Sequence, residues 1–328
     1  MSERGVVESI VAPCSGRLDK VLSGALAQSR SQVAKLIEAG GVRVNGAAVG
    51  KPSHRVEEGE RIEYRFLEAP RREEMPVEFD VPVLYEDEYL LILDKPAGVV
   101  VHPAPSVRGA TLVDWLVKRG ISLSTLSGEE RHGIVHRLDK ETSGALVIAK
   151  DNATHQALSD ELKSREMGRY YLAIIDHPLR EDIRVEKPIA RHPKNRLKMA
   201  VVEGGRWART DFIKLAEGCN GTELIAARLH TGRTHQIRVH LESLGRHILG
   251  DIPYGFKNRE GKIPRVFLHA ALLYLTHPHT GERLEVAAPV PEDMRSYLEK
   301  YFERSSVDEI CLSGVDLGAE FARRFAVS

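Results

Sequence analysis

The sequence predicts an α+β protein: a mixed, largely antiparallel sheet with flanking helices, preceded by a small helix-helix-hairpin module. From Val83 onward, strand patterns follow one another at 83–86, 89–94, 99–101, 134–138, 145–150, 169–175, 207–214 and 223–230. Helical patterns are confined to 111–119, 152–165 and 234–244. Several strands are therefore adjacent in sequence with no helix between them, which favours antiparallel pairing over a doubly wound parallel sheet. The first 66 residues read differently, with two short amphipathic helices ahead of a hairpin.

In that N-terminal module, Leu18, Val21, Leu22, Ala25 and Leu26 recur at helical spacing. A second helix follows, with Ser29 as N-cap, an apolar face of Val33, Leu36 and Ile37, and Gly40-Gly41 as its stop. Val42-Arg43-Val44 alternates and runs into Asn45-Gly46, a strong hairpin signal because both turn residues tolerate positive φ. Glu58-Gly59 marks another turn, and Ile62, Tyr64 and Phe66 alternate beyond it. Residues 71–80, rich in Pro, Arg and Glu, read as a linker, so the expected units are 1–70 and 81–304. Residues 305–328 read as an acidic tail holding at most a short helix at 318–325.

The 328 residues carry 47 Lys and Arg against 47 Asp and Glu, so the net charge is zero. The distribution is uneven. Residues 131–250 hold 21 basic against 15 acidic side chains and 9 of the 14 histidines, whereas 282–328 hold 6 against 10. Lys187, Arg191, Lys194, Arg196 and Lys198 lie in one run without an acid, so a local basic face is available despite the neutral sum. The three cysteines, Cys14, Cys219 and Cys311, are far apart, which predicts neither a disulfide framework nor a zinc site. No signal-peptide pattern opens the chain and no apolar run is long enough to cross a bilayer, so a soluble cytoplasmic protein is expected.

Two polar segments stand at strand ends, where loops on a rigid scaffold commonly carry chemistry. The first is His136-Arg137-Leu138-Asp139-Lys140-Glu141-Thr142-Ser143-Gly144. A partly buried carboxylate at Asp139 needs a cationic partner to stay ionised. Taken alone, the residues read more readily as a structural salt bridge with a Thr-Ser-Gly turn than as a catalytic site. The second is His230-Thr231-Gly232-Arg233-Thr234-His235-Gln236-Ile237-Arg238-Val239-His240, in which Thr234 is placed to cap a helix whose buried stripe is Ile237, Leu241 and Leu244. Arg233, on the strand-to-helix turn, could reach a carboxylate bidentately. Metal binding by His230, His235 and His240 is disfavoured, because a spacing of five does not stack residues on one helix face and arginines crowd them. Asp151 reads as the N-cap of helix 152–165. Arg169-Tyr170-Tyr171-Leu172-Ala173 alternates as a strand, so its two tyrosines face opposite ways.

Together these segments resemble the RluA/RluD-type family of pseudouridine synthases, which act on large-subunit ribosomal RNA and some transfer RNA. The likeness covers residues 15 to about 300. His136–Gly144 resembles the family's catalytic signature, with Glu141 where Asp is more usual, and Gly232–His240 resembles its arginine motif. Arg169–Ala173 resembles the basic-x-Tyr-x-Ala motif, which aligns Tyr171 with the functional tyrosine. Arg191-His192-Pro193 and Gly250-Asp251 with Tyr254-Gly255 also fit, while Arg246-His247-Ile248 lacks a proline often found there. Arg17 to about Tyr64 is similar to the S4 RNA-binding module, which points to the RluD-like branch.

The resemblance implies that Asp139 starts breakage of the uridine glycosidic bond, that Arg233 is its buried partner, and that Tyr171 stacks on the base and serves in proton transfer at C5. It implies no metal and no cofactor. Arg137 is the expected wedge that fills the place of the flipped base. His136, Arg30, Lys35, Arg43, Arg191, Lys194, Arg196 and Lys198 are the expected RNA contacts, made by a monomer on ribosomal RNA, free or in a pre-ribosomal particle. The alternatives are a transfer-RNA synthase of the same family, a non-catalytic ribosome assembly factor, and a glycosidase-like hydrolase. The last would need a second carboxylate.

Overall fold

A computed structural model of the chain describes residues 7–26, 30–65, 75–104, 107–121, 123–124, 133–257, 263–308, 310 and 316–325, apart from the side chains of Ser31, Gln32 and Lys35. The chain divides into two compact units, Met1–Glu74 and Met75–Ser328.

The first unit orders β1 (Glu8–Val11), β2 (Gly16–Arg17), α1 (Leu18–Ala25), α2 (Arg30–Glu38), β3 (Val42–Val44), β4 (Ala47–Ala48), β5 (Arg55–Val56) and β6 (Arg61–Tyr64). One sheet runs β1-β6-β3-β4, and β2 pairs with β5. The hairpin predicted at Asn45-Gly46 joins β3 to β4, with φ of 50° and 79° at its two turn residues. Leu18, Leu22, Val33, Ile37, Val42 and Ile62 pack as its core. Asp19, buried at the start of α1, accepts bonds from Arg17 and Arg30, which hold its carboxyl well below the usual carboxylate range. The expected cap Ser29 and strand residue Phe66 lie outside the described residues.

The second unit is built on β7 (Val83–Glu86), β8 (Leu90–Lys95), α3 (Leu112–Lys118), β9 (Ser143–Ala149), α4 (Asn152–Ser164), β10 (Gly168–Ile175), β11 (Ile183–Glu186), β12 (Ile189–Arg191), β13 (Met199–Val201), β14 (Arg209–Glu217), β15 (Glu223–Leu229), α5 (Gln236–Glu242), β16 (Leu268–Thr276), β17 (Arg283–Ala287), α6 (Glu292–Tyr301), α7 (Arg304–Asp308) and α8 (Leu317–Phe325). A nine-stranded sheet runs β11-β14-β15-β10-β16-β9-β8-β7, with β17 paired to β16. Among the described residues all its strand pairings are antiparallel except β16 with β9. The mixed, largely antiparallel sheet is thus as predicted. The central strands β9 and β10 are buried along their whole lengths, so both faces of the sheet are covered there.

Four expectations differ. Residues 99–101 form no strand, and of 134–138 only Ile134 bridges the sheet, opposite Ile148. Polar turn formation beyond Ile134 releases the chain to make the loop that bears Asp139. The predicted linker is not all linker, because Val77 and Phe79 pack on the core of the second unit. Nor do residues 305–328 form a mere tail. Helix α8 buries Leu317 and Phe321, Phe321 stacks on Tyr170 with centroids 5.2 Å apart, and Arg324 pairs with Asp182 at 3.0 Å. Its apolar residues are few, and only the sheet supplies what they pack against. Among the described residues no helix is long and apolar enough to cross a membrane.

Candidate active site

Asp139 stands in a tight loop that ends in β9. The Thr142 N–H donates to the Asp139 carbonyl at 3.1 Å, and the Gly98 N–H donates to the Lys140 carbonyl at 2.8 Å. Lys95, fully buried, donates from Nζ to the carbonyls of Pro96, Val99 and Lys140 at 2.7, 3.0 and 3.3 Å. Burial pushes its ammonium down to about 7, against the opposing pull of Asp139 and Glu141. Leu138 is buried, so the backbone is anchored beside the exposed motif residues. The motif ends in Gly144 for a steric reason. Its φ is 112°, and a Cβ there would lie 2.3 Å from the Ala270 carbonyl oxygen of β16.

The cation facing Asp139 is Arg238, not Arg233. Arg238 Nη1 donates to Asp139 Oδ2 at 3.3 Å, while its Nε and Nη2 grip the fully buried Asp251 at 2.7 and 2.8 Å. Burial works against the Arg238 charge, but the bidentate bond to Asp251 and the charges of Asp251 and Asp139 together hold the guanidinium above its ordinary range. The guanidinium also lies over the Tyr254 ring, 4.6 Å from its centroid. Arg233 instead donates from Nε to the Trp207 carbonyl at 3.1 Å, and burial and nearby Arg206 lower its pKa.

The helix boundary explains the exchange. Helix α5 starts at Gln236, and its N-cap is His235 in the left-handed conformation, φ 57°, rather than Thr234. Gln236 Oε1 accepts from the Arg233 N–H and the Thr231 hydroxyl, while its Nε2 donates to the Arg209 carbonyl and the Thr210 hydroxyl oxygen. The turn is thereby pulled onto β14, taking Arg233 with it, and Arg238 on the first turn of α5 reaches Asp139. One signal for this was in the sequence: an arginine between Ile237 and Val239 in a buried helix requires a buried acid, and Asp251 follows soon after.

The three motif histidines diverge. His230 bonds Asp211 at 2.9 Å, His240 bonds the Thr210 hydroxyl at 2.9 Å, and His235 turns to Asp139. Among the described residues no group of three His, Cys, Asp or Glu is placed to hold a metal. The Tyr254 hydroxyl accepts from the Met199 N–H at 2.8 Å and stands 2.7 Å from His235 Nδ1. A neutral ring that accepts the tyrosine proton at Nδ1 carries its own proton on Nε2, 3.9 Å from Asp139 Oδ2. Burial lowers the His235 pKa while Asp139 opposes it.

Tyr171 lines the cavity beside Asp139, and burial raises its phenol pKa. Its neighbour Tyr170 stacks on Phe321, so the two tyrosines have separate surroundings, as alternation requires. Arg137 is exposed at the cavity, with Nη1 3.4 Å from His102 Nε2. His136, expected to touch RNA, is buried instead. The Val147 N–H approaches its Nε2 at 3.3 Å and Arg169 Nη1 its Nδ1 at 3.1 Å. A neutral imidazole accepts at one nitrogen only, and the ring is fixed against β9 and β10 in either case.

Arg191, the last residue of β12, is exposed, as are Lys194 and Arg196 on the loop to β13. Lys198 pairs with Glu242 at 3.1 Å and lies over Tyr254. In the first unit Arg43 is exposed, Arg30 is engaged by Asp19 at 2.8 Å, and the side chain of Lys35 lies outside the described residues. Asp151 caps α4 through the Thr154 N–H at 2.8 Å and does not line the cavity.

The cavity has a volume of about 370 Å³. Asp139 is its only acidic lining residue among those described, and the same lining holds Arg137, Arg165, Arg169, Arg228, Arg233 and Arg238. The family model for RNA pseudouridylate synthase matches residues 89–243, and that for the S4 domain matches residues 16–62. An uncharacterized RNA pseudouridine synthase of Helicobacter pylori J99 is 44% identical over 304 residues, covering 90% of this chain and 92% of that protein. The chain belongs to the RNA pseudouridine synthase family. It is therefore an isomerase of the RluA/RluD type with an N-terminal S4 domain. A ribosomal large subunit pseudouridine synthase D of Nitrosomonas europaea is 40% identical over 298 residues, covering 86% of the synthase described here and 83% of that protein. Among solved structures, human RNA pseudouridylate synthase domain containing 1 superposes with a TM-score of 0.53 at 26% identity, over 64% of this chain and 83% of that one.

Proposed function

We propose that the synthase isomerises uridines in large-subunit ribosomal RNA, in the cytoplasm, through Asp139. The observation that carries the chemistry is the single carboxylate, among the described residues, in a cavity whose lining includes six arginines. A phosphate-rich ligand would repel a carboxylate that had no work to do, so a pure RNA binder gains nothing from Asp139. A glycosidase would need a second carboxylate at the scissile bond. None lines the cavity among the described residues.

In this reading the target uridine is flipped into the cavity, with Arg137 entering the vacated stack. Asp139 assists cleavage of the bond between N1 and C1′. The freed uracil rotates, C5 joins C1′, and the proton left on C5 is passed on through Tyr171, whose neutral phenol gives up its own proton as it takes that one. Atoms are conserved, since the N1 position regains a proton as C5 loses one. Arg238 keeps positive charge at 3.3 Å from Asp139, and Asp251 keeps Arg238 in place. Large-subunit RNA as the target is supported by the S4 domain and by the relatives called large-subunit synthase D.

The test is chemical mapping of pseudouridine in large-subunit RNA from cells carrying wild type or Asp139→Asn. Specific sites are expected to vanish in the variant while the purified variant still binds the RNA. Loss of a transfer-RNA site with ribosomal RNA unchanged would overturn the substrate, and no change in any RNA would overturn catalysis by Asp139.

A further inference from the structure

Just outside the cavity, one aromatic residue stands where a core residue would not. Trp207 precedes β14 and is 44% exposed. The guanidinium of Arg165 lies over its ring, 5.6 Å from the centroid. Its carbonyl accepts the bond from Arg233 Nε at 3.1 Å. Arg165 and Arg233 both line the Asp139 cavity, so the indole stands at its rim. Arg206 is the adjacent residue in sequence.

The charge around this ring is unbalanced. Arg165, Arg206 and Arg233 enter no ion pair among the described residues. Deeper in the same cavity, Arg169 is 8% exposed, and its Nε has no hydrogen-bond partner. Burying a guanidinium without a carboxylate is unfavourable unless an anion completes the site. An indole left 44% exposed beside these cations offers apolar area that a flat ring can cover. A flat ring and an anion, a few ångströms apart, are the two halves of a nucleotide.

We propose that Trp207 is a stacking platform for the base of the nucleotide next to the target uridine, with that nucleotide's phosphate held by Arg165 and Arg233. The inference rests on the RNA-modifying reading above and adds a second subsite to it. Asp139 and Tyr171 take the flipped uridine, while Trp207 takes its neighbour in the strand. Stacking accepts any base, because every base has a π face, so the subsite selects for an unpaired flank rather than for a sequence. It therefore favours uridines in loops over uridines within a continuous helix.

The protein carries its own probe. It has two tryptophans, and the other, Trp115, is buried with its indole N–H bonded to Asp80 at 3.1 Å. The full chain, as wild type and as Asp139→Asn, is titrated with a single-stranded uridine hexamer and with uridine monophosphate while tryptophan emission is followed. Affinity for the hexamer is measured in parallel by anisotropy of a fluorescein-labelled copy. The hexamer is expected to quench the emission, whereas the mononucleotide, which fills only the cavity, leaves it unchanged. Trp207→Ala is expected to weaken hexamer binding about 5- to 150-fold, the range for one stacked base. Trp207→Phe, which keeps a ring, should recover most of that loss.

Equal hexamer affinity in wild type and Trp207→Ala would overturn the proposal and leave Trp207 in an ordinary surface pair with Arg165. Absence of hexamer binding to wild type, or binding with unchanged emission, would overturn it too. The activity reading fails separately. A wild type that forms pseudouridine in ribosomal RNA while Trp207 stays silent loses only this inference. A chain that engages the hexamer through Trp207 yet modifies no RNA keeps it and loses the catalytic assignment.

Discussion

Replacing Arg238 by Met removes the charge that links Asp139 to Asp251, and the structure lets stability and catalysis be separated. Asp251 is fully buried and takes two charge-assisted bonds from Arg238, at 2.7 and 2.8 Å. Deleting one partner of such a pair leaves an uncompensated buried charge, so Arg238→Met should lower stability by about 3–5 kcal/mol. Asp251→Asn in the same chain replaces that charge with an amide of the same shape. The residual penalty for an unmet polar group is about 1–3 kcal/mol, so the double variant should regain roughly 2 kcal/mol. Activity should not follow. In both variants Asp139 lacks the bond from Arg238 Nη1 at 3.3 Å. A hydrogen bond to a charged group contributes about 1.5–3 kcal/mol, which corresponds to a loss of roughly 10- to 150-fold in rate.

Stability would be read by urea unfolding followed by tryptophan emission, since both tryptophans lie in the second unit. Rate would be read as single-turnover pseudouridine formation in an unmodified large-subunit RNA transcript. A double variant whose rate returned to near the wild-type value would show that Arg238 acts on Asp139 only by keeping the fold. A stability loss below about 1 kcal/mol for Arg238→Met would refute the buried-charge reasoning itself.

Two further outcomes are expected. Tyr171→Phe should bind RNA normally but turn over slowly, by the 100-fold or more typical of a lost proton-transfer group, and an unchanged single-turnover rate would reduce Tyr171 to a stacking role. His240, fully buried between the Thr210 hydroxyl and the Lys187 carbonyl, has its pKa pushed down to about 4 by burial. The folded state holds it neutral while the unfolded state protonates near pH 6.5, so its contribution is intact above that pH and is lost as pH falls toward 4. The loss should reach about 3 kcal/mol at pH 4. His240→Gln, whose amide can meet both neighbours, should flatten the pH dependence in that window, and an identical slope in wild type and variant would contradict it.

Local rules carried much of this protein. The Asn45-Gly46 hairpin, the Asp151 cap of α4, the stripe of Ile237 and Leu241 on α5, and the succession of strands from Val83 all follow from turn chemistry and periodicity, which act over a few residues. The residue types of the two polar segments and of Arg169–Ala173 were likewise enough to suggest which loops bear chemistry. Partner choice was beyond their reach. Whether Arg233 or Arg238 faces Asp139 depends on where α5 begins, and that is decided by Gln236 bonding across to β14, about 27 residues away in sequence. Whether His136 meets RNA depends on how β9 and β10 enclose it, and whether Lys198 is paired depends on Glu242. Whether 317–325 is a tail depends on the packing of Phe321 against Tyr170 of β10. The sequence by itself determined the element types and the chemical inventory, because those are local. Only the tertiary structure decided which charges meet, because an ion pair or a buried contact is set by elements that packing, not sequence neighbourhood, brings together.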